Sequence, residues 1–89
     1  MEEKFPLVIG FGATGSSLID YLSNSYEKIF LIEDWQDNPN LKRIIQEIPK
    51  VVINPTLDQD LFSQVSKIYP IPGVPSDHVI FGHAKKNKI

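Results

Sequence analysis

The residues best suited to chemistry lie in the N-terminal third of the chain. Gly10-Phe11-Gly12-Ala13-Thr14-Gly15 has the spacing G-x-G-x-x-G. An apolar run, Phe5 to Ile9, precedes it, and Leu18, Ile19 and Leu22 follow at helical spacing. That strand–turn–helix context gives the motif its meaning. Gly10 permits the tight turn, Gly12 lets a phosphate approach the backbone where a Cβ would obstruct it, and Gly15 lets the helix pack close to the strand. The first N–H groups of the helix and the positive end of its dipole attract an anion, and the Thr14 hydroxyl is a further donor. Glu33-Asp34 closes the next apolar run. An acid about 20 positions beyond such a glycine loop commonly bonds a ribose hydroxyl, and Glu33 is placed to do so. The combination points to a nucleotide or phosphate ligand, without distinguishing NAD from another nucleotide. A turn that binds nothing and a solvated loop acid are the alternatives.

Other chemistries find little support. The chain has no cysteine, so it offers neither a disulfide nor a Cys-based metal site. His78 and His83 lie five apart rather than at the i, i+4 of a helical metal pair, and read as a cap neighbour and a partly buried surface histidine. Ser16 and Ser17 have no Ser-His-Asp partner set and read as a helix start. Trp35, in the loop after the second apolar run, suits either base stacking or covering the edge of the core. Lys85, Lys86 and Lys88 suit a helix C-terminus. With nine Lys+Arg against eleven Asp+Glu, the net charge of −2 argues against nucleic acid as a partner. No apolar run approaches the ~20 residues of a membrane span, and Met-Glu-Glu-Lys lacks a signal peptide's apolar core. A cytoplasmic location is expected.

These residues need a scaffold, and 89 residues allow one domain. The runs Phe5–Ile9 and Lys28–Ile32 lack alternation, as strands buried on both faces do. Val51 to Ile53 and Ile68 to Ile71 supply two more strands, and Pro70 suggests that the last is short or at an edge. Thr14 to Ser23 is a helix. A second opens at Asn38-Pro39, with Asn38 as N-cap and an apolar face of Leu41, Ile44, Ile45 and Ile48, and stops at Pro49. Thr56 and Gln59 have capping-box spacing before a short helix. Ser76 caps a last helix through Ala84, with Val79, Ile80 and His83 inward. Strands alternating with helices imply an α/β, Rossmann-like doubly wound parallel sheet of about four strands with flanking helices.

Val8 to Ser17 closely resembles the start of the UDP-N-acetylmuramoylalanine–D-glutamate ligases of the Mur ligase family. Glu33-Asp34, Asn38-Pro39-Asn40-Leu41, the loop Ile71-Pro72-Gly73-Val74-Pro75, Asp77-His78 and Ala84-Lys85-Lys86 extend the resemblance along the whole chain. It implies the family's N-terminal domain, which binds the UDP part of UDP-N-acetylmuramoyl-L-alanine in peptidoglycan synthesis. By that resemblance Gly12, Ala13, Thr14 and Gly15 hold the diphosphate. Glu33, Asp34 and Trp35 face the uridine, and Gly73 lines the uracil edge. Ile71 stands where the family usually has serine, Trp35 where arginine is common, and Glu33 where aspartate is usual.

The family's G-T-x-G-K-[ST] loop for ATP and Mg²⁺ does not occur in this sequence. No cofactor and no catalytic residue are therefore expected on this chain, and no ligase activity from it alone. The expected partner is UDP-N-acetylmuramoyl-L-alanine or another uridine nucleotide. The chain reads as a domain cut from a larger ligase, and its fourth strand as an exposed edge that invites self-association. A small NAD(H)-binding domain of a dehydrogenase or regulator, and a non-catalytic interaction domain, are the competing readings.

Overall fold

A computed structural model describes residues 4–10, 13–34, 37–70 and 79–86. Four strands and four helices alternate: β1 (Phe5–Ile9), α1 (Ala13–Ser23), β2 (Ile29–Ile32), α2 (Asn40–Glu47), β3 (Val51–Ile53), α3 (Gln59–Ser63), β4 (Val65–Pro70) and α4 (Val79–Lys86). The strands form one sheet in the order β3-β2-β1-β4, and every pairing is parallel. This is the expected α/β, Rossmann-like architecture.

Side-chain alternation in the two central strands splits the core. Leu7, Ile9, Phe30 and Ile32 pack with Leu61 and Phe62 of α3, Val65 of β4 and Ile80 of α4. Val8, Ile29 and Leu31 pack with Ile19 and Leu22 of α1 and Leu41 and Ile44 of α2. Helices thus cover both faces of the sheet, which explains the unbroken apolar runs of β1 and β2.

Pro6 sits buried in the central strand β1, where a missing N–H would normally break the ladder. A register shift between Phe5 and Pro6 resolves this: Phe5 faces Val65 and Pro6 faces Lys67, so Ser66 is skipped. Bulges are one of the few places a sheet accepts proline. Pro70 ends β4, which pairs with β1 alone among the described residues, so its place at an edge is as expected. β4 begins at Val65 rather than Ile68, because exposed Ser66 and Lys67 mask an edge strand.

The helix caps differ from expectation. The α3 cap is Asp58, whose Oδ1 accepts from the Leu61 N–H at 2.9 Å, rather than Thr56. Pro39 occupies the α2 cap position, with no side-chain cap bond. The Asn38 amide instead donates to Glu33 Oε2 at 3.1 Å, and a bond to a charged acceptor is the stronger use of that group. On α2, Ile45 is 62% exposed and leaves the core to Leu41, Ile44 and Ile48. The expected Ser76 cap lies outside the described residues.

Candidate functional site

β1 runs directly into the glycine loop. Gly10 has φ +89°, a conformation open to glycine and costly for side-chain-bearing residues. Its N–H donates to the Ile32 carbonyl at 2.8 Å, so the turn leaves β1 while still bonded to the end of β2. Helix α1 starts at Ala13. Ala13, Thr14 and Gly15 therefore form its first turn, whose N–H groups have no partner within the helix. Gly15 is buried, in keeping with close helix–strand packing.

Glu33 follows Ile32, the register partner of Ile9. The carboxyl ends of β1 and β2 thus bring the glycine turn, the first turn of α1 and the Glu33-Asp34 pair to one rim. On the other side of β1, Pro70 pairs with Ile9. The chain runs outward from β1 through β2 to β3 and then crosses to β4. The strand order therefore reverses between β1 and β4, the position at which open α/β sheets bind ligands.

Glu33 is held by two asparagines. Its N–H donates to Asn54 Oδ1 at 2.8 Å, and Asn54 Nδ2 donates back to the Glu33 carbonyl at 3.1 Å. Asn54 lies just beyond β3, and its own N–H donates to the Leu31 carbonyl at 2.7 Å. Asn38, buried, binds the Glu33 carboxylate from the other side. Asp34 is exposed on the rim. A 490 Å³ groove beside this cluster is lined by Asp37, Asn38, Leu41, Lys42, Ile45, Ile53 and Asn54.

Arg43 of α2 reaches α1 beside the loop. It donates to Ser16 Oγ, lies 3.7 Å from the Asp20 carboxylate and pairs with Glu47 at 2.9 Å. Of the expected site residues, Gly12, Trp35 and Gly73 lie outside the described residues. Ala13, Thr14, Gly15, Glu33 and Asp34 share the rim.

Sequence reasoning missed Asn54, which directly follows β3. The available signal was an asparagine at a strand terminus, the residue type that best tolerates positive φ after glycine. It also missed His83 stacking on Phe62, with ring centroids 5.4 Å apart and planes 8° from parallel. His78 lies outside the described residues. No group of three or more His, Cys, Asp or Glu able to hold a metal occurs among the described residues.

The geometry gathers these residues at one rim of the sheet, and the sequence places the chain in a family. Residues 4–89 match the Mur ligase MurD-like N-terminal domain. The chain belongs to that family. It is 37% identical over 75 residues to the UDP-N-acetylmuramoylalanine–D-glutamate ligase of Hahella chejuensis, covering 80% of this chain and 16% of that protein. It is 25% identical over 75 residues to the ligase of the same name from Pseudomonas syringae pv. syringae, covering 83% and 17%. The chain thus spans about one sixth of the length of these relatives. No solved structure matches it significantly. In this MurD-like N-terminal domain the G-x-G-x-x-G segment follows a buried parallel strand and Glu33 ends the next, so the motif stands in the context that the sequence required. No described helix is long and apolar enough to cross a membrane.

Proposed function

We propose that the chain is a uridine-nucleotide-binding domain, taking the UDP part of UDP-N-acetylmuramoyl-L-alanine within a ligase that adds D-glutamate during peptidoglycan synthesis. The family match over residues 4–89 carries this reading. The rim supports it: a positive-φ glycine turn, the first turn of α1 and Glu33 meet beside the strand-order reversal.

In this reading the N–H groups of Gly12, Ala13, Thr14 and Gly15 and the Thr14 hydroxyl bind the diphosphate. A helix N-terminus is the natural partner of a phosphate. Glu33 accepts from the ribose, Asp34 and Trp35 line the uridine, and Gly73 borders the uracil. Residues 1–89 act as one binding domain in the cytoplasm and catalyse nothing alone. ATP and Mg²⁺ belong to a segment carrying a G-K-[ST] loop, a sequence that does not occur here. The outer edge of β4 is a site for self-association.

Nuclear magnetic resonance titration of the 89-residue chain with UDP, UDP-N-acetylmuramoyl-L-alanine and NADH tests the reading. Shifts at Ala13 to Gly15 and at Glu33 are expected with both uridine compounds. A response to NADH alone would establish the dinucleotide alternative. Silence with all three would leave an interaction domain.

A further inference from the structure

We infer that Asn54 and Asn38 are positioning residues that set ribose recognition by holding Glu33 from both ends. The inference rests on the uridine-nucleotide reading and extends it to residues outside the glycine loop and the acid pair. Two separate observations converge on Glu33. The first is backbone geometry. Asn54 has φ +50°, the sole positive φ of a non-glycine residue among those described. Asparagine enters this region more readily than other side-chain-bearing residues, because its short amide can form local hydrogen bonds there. Here the conformation lets one side-chain amide accept from the Glu33 N–H and donate to the Glu33 carbonyl. A neighbouring strand would make the same exchange. Asn54 therefore continues the β2–β3 ladder by side chain, one step beyond the last register pair, Leu31 with Ile53.

The second observation is burial. Asn38 is 4% exposed, and a buried amide must use its hydrogen-bonding groups within the protein. It donates to Glu33 Oε2, while its own carbonyl accepts from the Leu41 N–H at 3.0 Å at the start of α2. Asn38 thus links the direction of the carboxylate to the position of α2. A glutamate has three side-chain torsions, and an unheld one would lose that freedom on binding. Fixing its backbone with Asn54 and its carboxylate with Asn38 removes much of that cost before the ligand arrives.

The test compares UDP with 2′,3′-dideoxy-UDP, by calorimetric titration of the wild-type chain, N54G, N54D and N38A, with inorganic pyrophosphate as a probe of the diphosphate site. Glycine at 54 keeps the positive φ and deletes only the clamp. Wild type is expected to prefer UDP by about tenfold or more, the size of a hydrogen bond to a charged group. In N54G and N38A that preference falls to within about threefold of unity, while pyrophosphate affinity is unchanged. N54D keeps an acceptor for the Glu33 N–H but loses the donor, so its preference lies between. A wild-type chain that ignores UDP overturns the uridine reading and the inference together, whereas one that binds both nucleotides alike keeps the uridine reading and overturns the inference. A wild-type preference that survives intact in both N54G and N38A overturns the inference alone. N54G still decides the matter if N38A does not fold.

Discussion

The two faces of the sheet are covered by the same number of helices and held by different means. On the α1/α2 face the core is aliphatic, and its periphery is tied by polar bonds between elements. Arg43 joins α2 to Ser16 and Asp20 of α1. Lys50 donates to the Ser23 and Tyr26 carbonyls, the latter at 2.8 Å, and so satisfies the C-terminal end of α1. On the α3/α4 face the ties are aromatic. Phe5 meets Phe30 edge to face at 6.4 Å, His83 lies flat on Phe62, and Lys28 sits 5.4 Å and 5.9 Å from the Phe5 and Phe30 ring centres. Ring packing tolerates sliding, whereas hydrogen bonds and ion pairs fix orientation. The helix whose first turn belongs to the candidate phosphate site lies on the face with the orienting bonds.

The largest test of this difference uses one residue type at equal burial on each face. Ile44 of α2 and Ile80 of α4 are both fully buried. Truncation of either to alanine is expected to cost about 2–5 kcal/mol, with the value depending on how far the site can collapse around the void. I44A should be the costlier, because Arg43 restrains α2 from settling inward. Urea denaturation of both variants gives the ranking. Equal costs, or the reverse order, would mean that the polar ties do not stiffen the α1/α2 face.

A smaller effect is expected from the α3 cap. D58A removes the bond to the Leu61 N–H and should destabilise by about 1 kcal/mol. T56A, at the position favoured by the capping-box spacing, should change stability far less, and parallel thermal melts would show whether it does. The misplacement of this cap shows where reading a sequence stops. Thr56 and Asp58 both precede the same apolar residues, and only backbone geometry decides which side chain meets the free N–H groups. Local patterns did locate the two central strands, since burial on both faces leaves runs such as Ile29 to Ile32 without polar interruption. They located Gly10 and Glu33 as well, because turn and strand end announce themselves by residue type. Asn54 was illegible as a clamp. Its contact with Glu33 spans 21 positions and exists only because β2 and β3 pair in a particular register. The same holds for Lys50 and for Arg43, whose hydrogen-bond partners Ser23 and Ser16 on α1 each lie 27 positions away.

On the aromatic face, α4 carries Gly82 in its interior, exposed to solvent. A Cβ built there meets nothing within 4 Å. G82A should therefore stabilise the chain by about 0.5–1 kcal/mol, since glycine is a poor helix former for entropic reasons. A melting temperature that falls would place an unrecognised contact over α4.

The smallest expected effect bears most directly on the comparison. Arg43 is about one-third exposed and Asp20 and Glu47 more than half, so water screens both pairs. R43A should cost only about 0.2–1 kcal/mol. Its signature is ionic rather than large: the difference from wild type should shrink as salt rises, because exposed pairs are screened over a Debye length of about 8 Å at physiological ionic strength. R43Q separates the two kinds of tie. It keeps a donor for Ser16 Oγ while removing the charge that Asp20 and Glu47 meet. If orientation of α1 is what matters, R43Q should retain wild-type pyrophosphate binding and lose only the salt-dependent part of stability. If charge near the first turn of α1 matters instead, R43Q should bind pyrophosphate as weakly as R43A, and the face would owe its role to electrostatics rather than to rigidity.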